Sequence, residues 1–363
     1  MSIMSTNVGP VTAAEKETAV VEALAQARAA RAEGDRDGSV AILKDAIQSG
    51  LWRYARLWTE LRSLMQSPQD YEAIRELWWS SPRGCHGVIP LLTTIARAAS
   101  VAGQHDEARL LLRKAIILQA LRGRQLRRRL GELKHETVQS IRGRSNHKDD
   151  GSFESKASVA LSELNETLDK LNVRGFLISG TLLGYVRDSA FISWDKDIDL
   201  GFFTSEISVA DLESAFDHSS KFNIRRIDFN TERLRINHEN GTMIDVFPHY
   251  LDTDDKVWHD GTATRWWNSP FELKTIDFLG KPQYVPDPPE QYLDENYGQW
   301  QTPEPNFDAR LDAPNAQVTD QPFLDTLTYF ALLDALKKRN PVKLERYRKL
   351  LIELGEGDWL DRL

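Results

Sequence analysis

The chain changes its hydrophobic rhythm near residue 154. Residues 14–135 carry apolar positions at helical spacing and read as helix throughout. Beyond 154, helix and strand signals alternate. Lys156–Leu171 predicts an amphipathic helix, Phe176–Ser179 a short strand, Leu182–Arg187 a helix and Asp197–Phe203 a strand. Asp211–His218 reads as helix, and Asn223–Phe229, Leu234–Asn237 and Thr242–Phe247 as strands. A Pro- and Trp-rich region follows over 258–315, and 321–363 return to helix with a break at Asn340-Pro341.

The helical part repeats itself. Gly34-Asp35-Arg36-Asp37-Gly38-Ser39-Val40-Ala41 resembles Gly103-Gln104-His105-Asp106-Glu107-Ala108-Arg109-Leu110. The two glycines stand 69 positions apart (103 − 34), about twice a 34-residue helical repeat, and the stretch from Pro68 to Leu77 supplies a degenerate middle copy. A tetratricopeptide-like stack of three is expected, with a plain helical bundle as the alternative. Arg122, Arg124, Arg127, Arg128 and Arg129 make a basic stretch, read as a solvated face or a contact with anionic lipid.

The resulting map has a flexible N-terminus (1–13), a helical domain (14–135), a polar linker (136–153), a catalytic domain (154–315), and C-terminal helices packed on that domain (316–363). Hydrophobic content of 41% and charged content of 28% describe an ordinary globular chain. A net charge of −8 disfavours nonspecific nucleic-acid binding. The single cysteine, Cys85, excludes an internal disulfide and a cysteine-rich zinc site. The N-terminus offers no secretory signal and no window is apolar enough to span a bilayer, so a cytoplasmic location is expected, with peripheral contact at the inner membrane face as an option.

The chemistry concentrates in one stretch. Ser179-Gly180-Thr181 opens it, Arg187 follows, and Asp195-Lys196-Asp197-Ile198-Asp199 closes it. On a strand, Asp197 and Asp199 project to one face while Ile198 faces the core. Two adjacent carboxylates repel unless a cation lies between them, and a hard divalent ion, Mg²⁺ or Mn²⁺, suits oxygen ligands and substrate phosphate. Asp245 stands alone in the apolar run Met243-Ile244-Asp245-Val246-Phe247, a costly place for an unpaired carboxylate. The three aspartates suit phosphoryl or nucleotidyl transfer. An acidic surface loop is the competing reading, and the flanking Phe191, Ile192, Trp194, Phe202 and Phe203 argue against it.

Residues 180–200 (Gly-Thr-Leu-Leu-Gly through Trp194-Asp195-Lys196-Asp197-Ile198-Asp199-Leu200) resemble the LicD/fukutin family of phosphotransferases. Ser193 and Lys196 depart from the family's usual Pro and Asp. Asp245-Val246-Phe247-Pro248, Trp266-Trp267 and Tyr297-Gly298-Gln299-Trp300 extend the resemblance over about 155–315. The resemblance implies an α+β fold, a nucleotidyltransferase-like mixed sheet with flanking helices, here preceded by the all-α domain. It implies metal-dependent transfer of a phospho-substituent, phosphocholine or an alditol phosphate, from a CDP-linked donor to a hydroxyl of a glycan or polysaccharide.

In that scheme Asp197 and Asp199 are metal ligands, and Asp245 is a third ligand or the general base. Ser179, Gly180 and Thr181 meet phosphate through backbone and hydroxyl groups. Arg187 is either a phosphate clamp or a structural partner of Asp188 or Asp195. Asp195 orients a ligand carboxylate. Trp266 and Trp267 offer faces to a choline cation or a sugar, or form core. Asn306 and Asp308 are candidates for substrate contact, and His249 lies close in sequence to Asp245. Two rivals remain: a nucleotidyltransferase that releases pyrophosphate, and an adaptor that uses the helical repeats to bind a protein partner.

Overall fold

The computed structural model describes residues 12–131, 152–192, 195–216, 219–226 and 231–360. The expected flexible terminus up to residue 11, the linker up to residue 151, Trp194, His218 and the side chains of Arg127, Arg128 and Arg129 lie outside the described residues. The chain forms two compact units, Met1–Gln125 with Thr326–Leu363, and Leu126–Asp325.

The first unit is helical. Its helices α1 (Ala13–Ala32), α2 (Arg36–Ala46), α3 (Ala55–Ser63), α4 (Asp70–Ser80), α5 (Ile89–Val101) and α6 (His105–Gly131) follow one another as three helix–turn–helix pairs. Thr12 and Glu15 close a capping box at the start of α1, so two donors left over by the first turn are satisfied. Gly34 (φ 82) and Gly103 (φ 76) occupy the equivalent turns of the first and third pairs, in left-handed backbone that a side chain would strain. Leu43, Leu57, Trp58, Trp78, Leu92 and Ile95 fill the core.

From Thr326 onward the C-terminal helices cluster with this helical unit. The helix Gln321–Lys338 buries Tyr329, Leu332 and Leu333. The Arg97 guanidinium lies 4.1 Å over the Phe330 ring, and Arg113 pairs with Glu356.

The second unit is a mixed sheet with flanking helices, as its sequence predicts. Strand β1 (Phe176–Leu177) pairs antiparallel with β2 (Asp197–Phe203), and β2 pairs parallel with β5 (Met243–Leu251). The other side of β5 takes β4 (Leu234–His238), which pairs with β3 (Phe222–Arg226). Beyond β1 lie β9 (Lys281–Asp287) and β8 (Glu272–Phe278). At its far end β5 leaves this sheet. Tyr250 and Leu251 pair with β6 (Val257–Asp260), which leads to β7 (Thr264–Asn268) and β10 (Ala316–Val318). The Pro- and Trp-rich region therefore contains strands that its composition concealed.

Helices α7 (Ser152–Lys170), α8 (Ser179–Asp188) and α9 (Val209–Phe216) cover the sheet, and α10 (Pro289–Tyr297) and α11 (Ala309–Asp312) follow β9. Leu161, Leu164, Phe176, Ile198, Leu200, Phe202, Ile244 and Val246 belong to one buried cluster. No described helix is long and apolar enough to cross a membrane.

Candidate active site

Strand β2 alternates as its sequence demands: Ile198 and Leu200 are fully buried, while Asp197 and Asp199 face the opposite side and are part-buried. In the parallel register of β2 and β5, Asp199 stands level with Asp245 and Asp197 with Met243. Three carboxylates predicted from separate motifs therefore share one patch of the sheet.

Helix α8 begins directly beneath them. The Gly180 N–H donates to Asp199 Oδ2 (3.1 Å), and Thr181 Oγ1 accepts the Asp199 N–H (2.9 Å). The positive end of the helix thus faces Asp199. Ser179, just ahead of Gly180, is held at φ 47, a left-handed conformation unusual for serine. A Cβ on Gly180 would lie 2.5 Å from Asp195 Oδ2 and 3.4 Å from Asp199 Oδ2, so a glycine is needed for the two carboxylates to close on the helix. Gly180→Ala is expected to push Asp195 aside and cut turnover about 10²-fold, with little loss of thermal stability. Steady-state kinetics beside a melting curve check both parts.

The carboxylates raise one another. Burial, then the hydrogen bond and charge of Asp197, push the Asp195 carboxyl up to about 7. Burial, then the charges of Asp197, Asp195 and Asp245, hold Asp199 well above the usual carboxylate range, with the Gly180 N–H pulling the other way. Asp245 is served separately. Arg235 on β4 lies opposite it in the antiparallel register, and its Nε and Nη2 donate to Asp245 Oδ1 (2.6 Å) and Oδ2 (2.8 Å). Arg235 was not among the residues singled out from the sequence.

A cavity of about 200 Å³ opens beside this cluster, lined by Gly180, Arg187, Asp195, Tyr297, Trp300 and Phe307. Arg187 reaches it while its Nε and Nη2 donate to Asp188 (3.0 and 2.9 Å). Burial, followed by the charges of Asp199 and Asp195, holds the Tyr297 phenol in its neutral form well above its ordinary range.

Other predicted residues are committed elsewhere in the fold. Trp266 stacks on His259 and gives its indole N–H to the Ala309 carbonyl (3.0 Å). Trp267 gives its own to Gln317 Oε1 (2.8 Å). Asp308 caps α11 through the Arg310 N–H (3.2 Å) and pairs with the Arg310 guanidinium. The Asn306 N–H donates to Glu304 Oε1 (2.9 Å).

His249 is core. It packs on Phe176 and His259, and its Nδ1 bonds the Phe247 carbonyl (2.9 Å). Burial pulls its pKa down to about 4 and that of His259 well below its usual value. A depressed imidazole contributes its full stability above the ordinary pKa of 6.5 and loses it as pH falls toward 4. The melting temperature of His249→Phe should therefore drop less between pH 7 and pH 5 than that of the parent chain.

Among the described residues, Glu163, His238 and Glu239 bring three potential metal-ligating atoms within 4.8 Å of one another. Their protons are arranged for something else. His238 Nδ1 accepts the Asn240 N–H (3.2 Å), so Nε2 carries the ring proton toward Glu163 (2.8 Å) and has no lone pair to give. Lys221 Nζ already neutralises Glu163 at 2.7 Å. The aspartate cluster has an all-oxygen donor set, with no lysine or arginine ion pair to Asp199 among the described residues, and it suits a hard cation better.

A helix N-terminus and an aspartate pair on a sheet strand, with a third aspartate on the neighbouring strand, form an arrangement that suits phosphoryl or nucleotidyl transfer. Residues 172–287, which contain it, match the family described as LicD/FKTN/FKRP, nucleotidyltransferase domain, in agreement with the resemblance read from the motifs. Over 175 residues, 46% of this chain, the sequence is 30% identical to the ribitol-5-phosphate transferase FKTN of Homo sapiens and 29% identical to that of Mus musculus. The match spans 37% of the length of these relatives. Among solved structures, the lincosamide antibiotic adenylyltransferase LnuA, lincomycin-bound, aligns with 37% of this chain and 82% of its own, at 15% identity and a TM-score of 0.27.

Proposed function

We propose that this protein is a metal-dependent transferase that moves a phospho-substituent, an alditol phosphate or phosphocholine, from a CDP-linked donor to a glycan hydroxyl. The supporting observation is the packing of Asp195, Asp197, Asp199 and Asp245 over the first turn of α8, inside the stretch that matches the family. In this reading Asp197 and Asp199 would hold Mg²⁺ or Mn²⁺, with Asp245 as third ligand or as base. Such an ion supplies charge neutralisation on the phosphoryl oxygens and on departing CMP.

The chain's own groups do the positioning. The acceptor oxygen bonds to the phosphorus bearing the head group, the bond from that phosphorus to its bridging oxygen breaks, and CMP departs with that oxygen. The hydroxyl proton leaves to a carboxylate. Ser179, Gly180, Thr181 and Arg187 orient the donor phosphates, and Asp195 orients the neighbouring carboxylates. The three helix pairs of the first unit act as a tetratricopeptide-like stack for a protein partner. The reaction is assigned to the cytoplasm, with peripheral contact at the inner membrane face.

The test is a donor screen with Mn²⁺ or Mg²⁺, scoring CMP release and thermal shift for CDP-ribitol, CDP-glycerol, CDP-choline and CTP. CMP release from one CDP donor, lost in the Asp197→Ala/Asp199→Ala double variant, supports the reading and names the head group. Pyrophosphate release from CTP would replace it with nucleotidyl transfer. Silence with every nucleotide would leave an adaptor.

A further inference from the structure

A second cavity, of about 310 Å³, opens where β5 passes into β6, and the phosphoryl-transfer scheme makes no use of it. Its walls include Glu232, Arg233, Tyr250, Trp258, Asp260 and Asp320. Several of these groups are held before any ligand arrives. The Tyr250 and Trp258 rings stack with centroids 4.2 Å apart and planes at 16°. The Tyr250 hydroxyl donates to Glu232. The Arg265 guanidinium lies 3.6 Å over Trp258 and grips Asp260 with bonds of 2.7 and 2.9 Å. Asp320 is fixed by the Phe323 N–H (2.9 Å) at the start of its helix.

This is chemistry for a hydroxylated ring. Tyr250 and Arg265 cover the Trp258 ring, so the partly exposed Tyr250 is the aromatic surface left for the ligand's C–H groups, and the fixed carboxylates accept from its hydroxyls. A phosphate would meet three carboxylates against one lining arginine, so an anion is disfavoured.

We propose that this cavity is a saccharide-binding subsite, which seats a sugar ring of the acceptor. Its role as an acceptor site rests on the transferase reading, whereas the binding itself does not.

The experiment is saturation-transfer NMR on the full chain. The probes are the methyl glycosides of glucose, galactose, mannose, N-acetylglucosamine and N-acetylgalactosamine. At least one should receive saturation from the parent protein. That signal should fall about five-fold or more in Glu232→Ala and in Tyr250→Ala, as expected for one lost polar anchor, and persist in Asp199→Asn. Glu232 is exposed at the cavity rim, so its variant keeps the test valid if Tyr250→Ala fails to fold. No transfer to any glycoside, or transfer undiminished in Glu232→Ala, overturns the subsite. A glycoside signal lost in Glu232→Ala, from a chain that releases no CMP from any donor, keeps the subsite and removes the transferase reading.

Discussion

Asp199→Asn is expected to abolish CMP release, by about 10³-fold or more, while making the metal-free protein more resistant to heat at pH 8. Both effects come from one charge. Asparagine keeps an oxygen for the Gly180 N–H, so the local backbone stays in place. It removes the carboxylate that Asp197, Asp195 and Asp245 repel. The sign follows from the raised pKa values. A carboxyl whose folded pKa lies above its ordinary 3.8 contributes most at low pH, and that contribution is lost as pH rises, for Asp195 up to about 7. The metal-free parent should therefore lose carboxylate-linked stability between pH 4 and pH 7. Mn²⁺ should restore more stability at pH 8 than at pH 5, and the variant should show both responses weakened, with the Asp195 part of the pH dependence remaining. Melting curves with and without the ion, beside a CMP-release assay, test all three parts. Activity near the parent level in Asp199→Asn would end its assignment as a ligand.

Arg235→Gln is expected to cost about 3–5 kcal/mol of folding stability, more than the loss of any surface ion pair. The guanidinium gives two hydrogen bonds to a carboxylate that is 5% exposed, and its removal leaves Asp245 buried beside Asp199 with no counter-charge. The double variant Arg235→Gln/Asp245→Asn should recover much of that loss, because charge and partner leave together, but it should not recover turnover. Urea unfolding of the two single variants and the double variant gives the coupling directly. A loss below about 1 kcal/mol in Arg235→Gln would mean that solvent reaches Asp245 and that the pair is incidental.

The aspartates were legible from sequence because each breaks a strong pattern. Asp197 and Asp199 interleave with Ile198 and Leu200, and Asp245 interrupts a run of apolar residues. Arg235 breaks nothing. In Leu234-Arg235-Ile236-Asn237 it looks like any solvent-facing residue of a half-buried strand. The signal that could have found it is the turn at Asn240-Gly241, where Gly241 has φ 91. Folding the chain about that turn sets Arg235 opposite Asp245. Strands β6 to β9 were hidden for another reason. Pro282 and Pro286 argue against a strand by propensity, yet β9 meets β1 at a single register point, Phe176 with Tyr284, and both prolines lie outside it.

The hairpin of β4 and β5 also bears on the order of folding. Its strands are joined by a short turn and can pair on a microsecond scale. The parallel pairing of β2 with β5 must instead close a connection that contains α9 and β3, and such pairings form late. Arg235 and Asp245 belong to the early element, whereas Asp199 and Asp245 meet across the late one. Asp245 therefore arrives at its neighbour with its charge already matched. Loss of Arg235 should then appear mainly as slower refolding, with the unfolding rate less affected, because the transition state must bring unscreened carboxylates together.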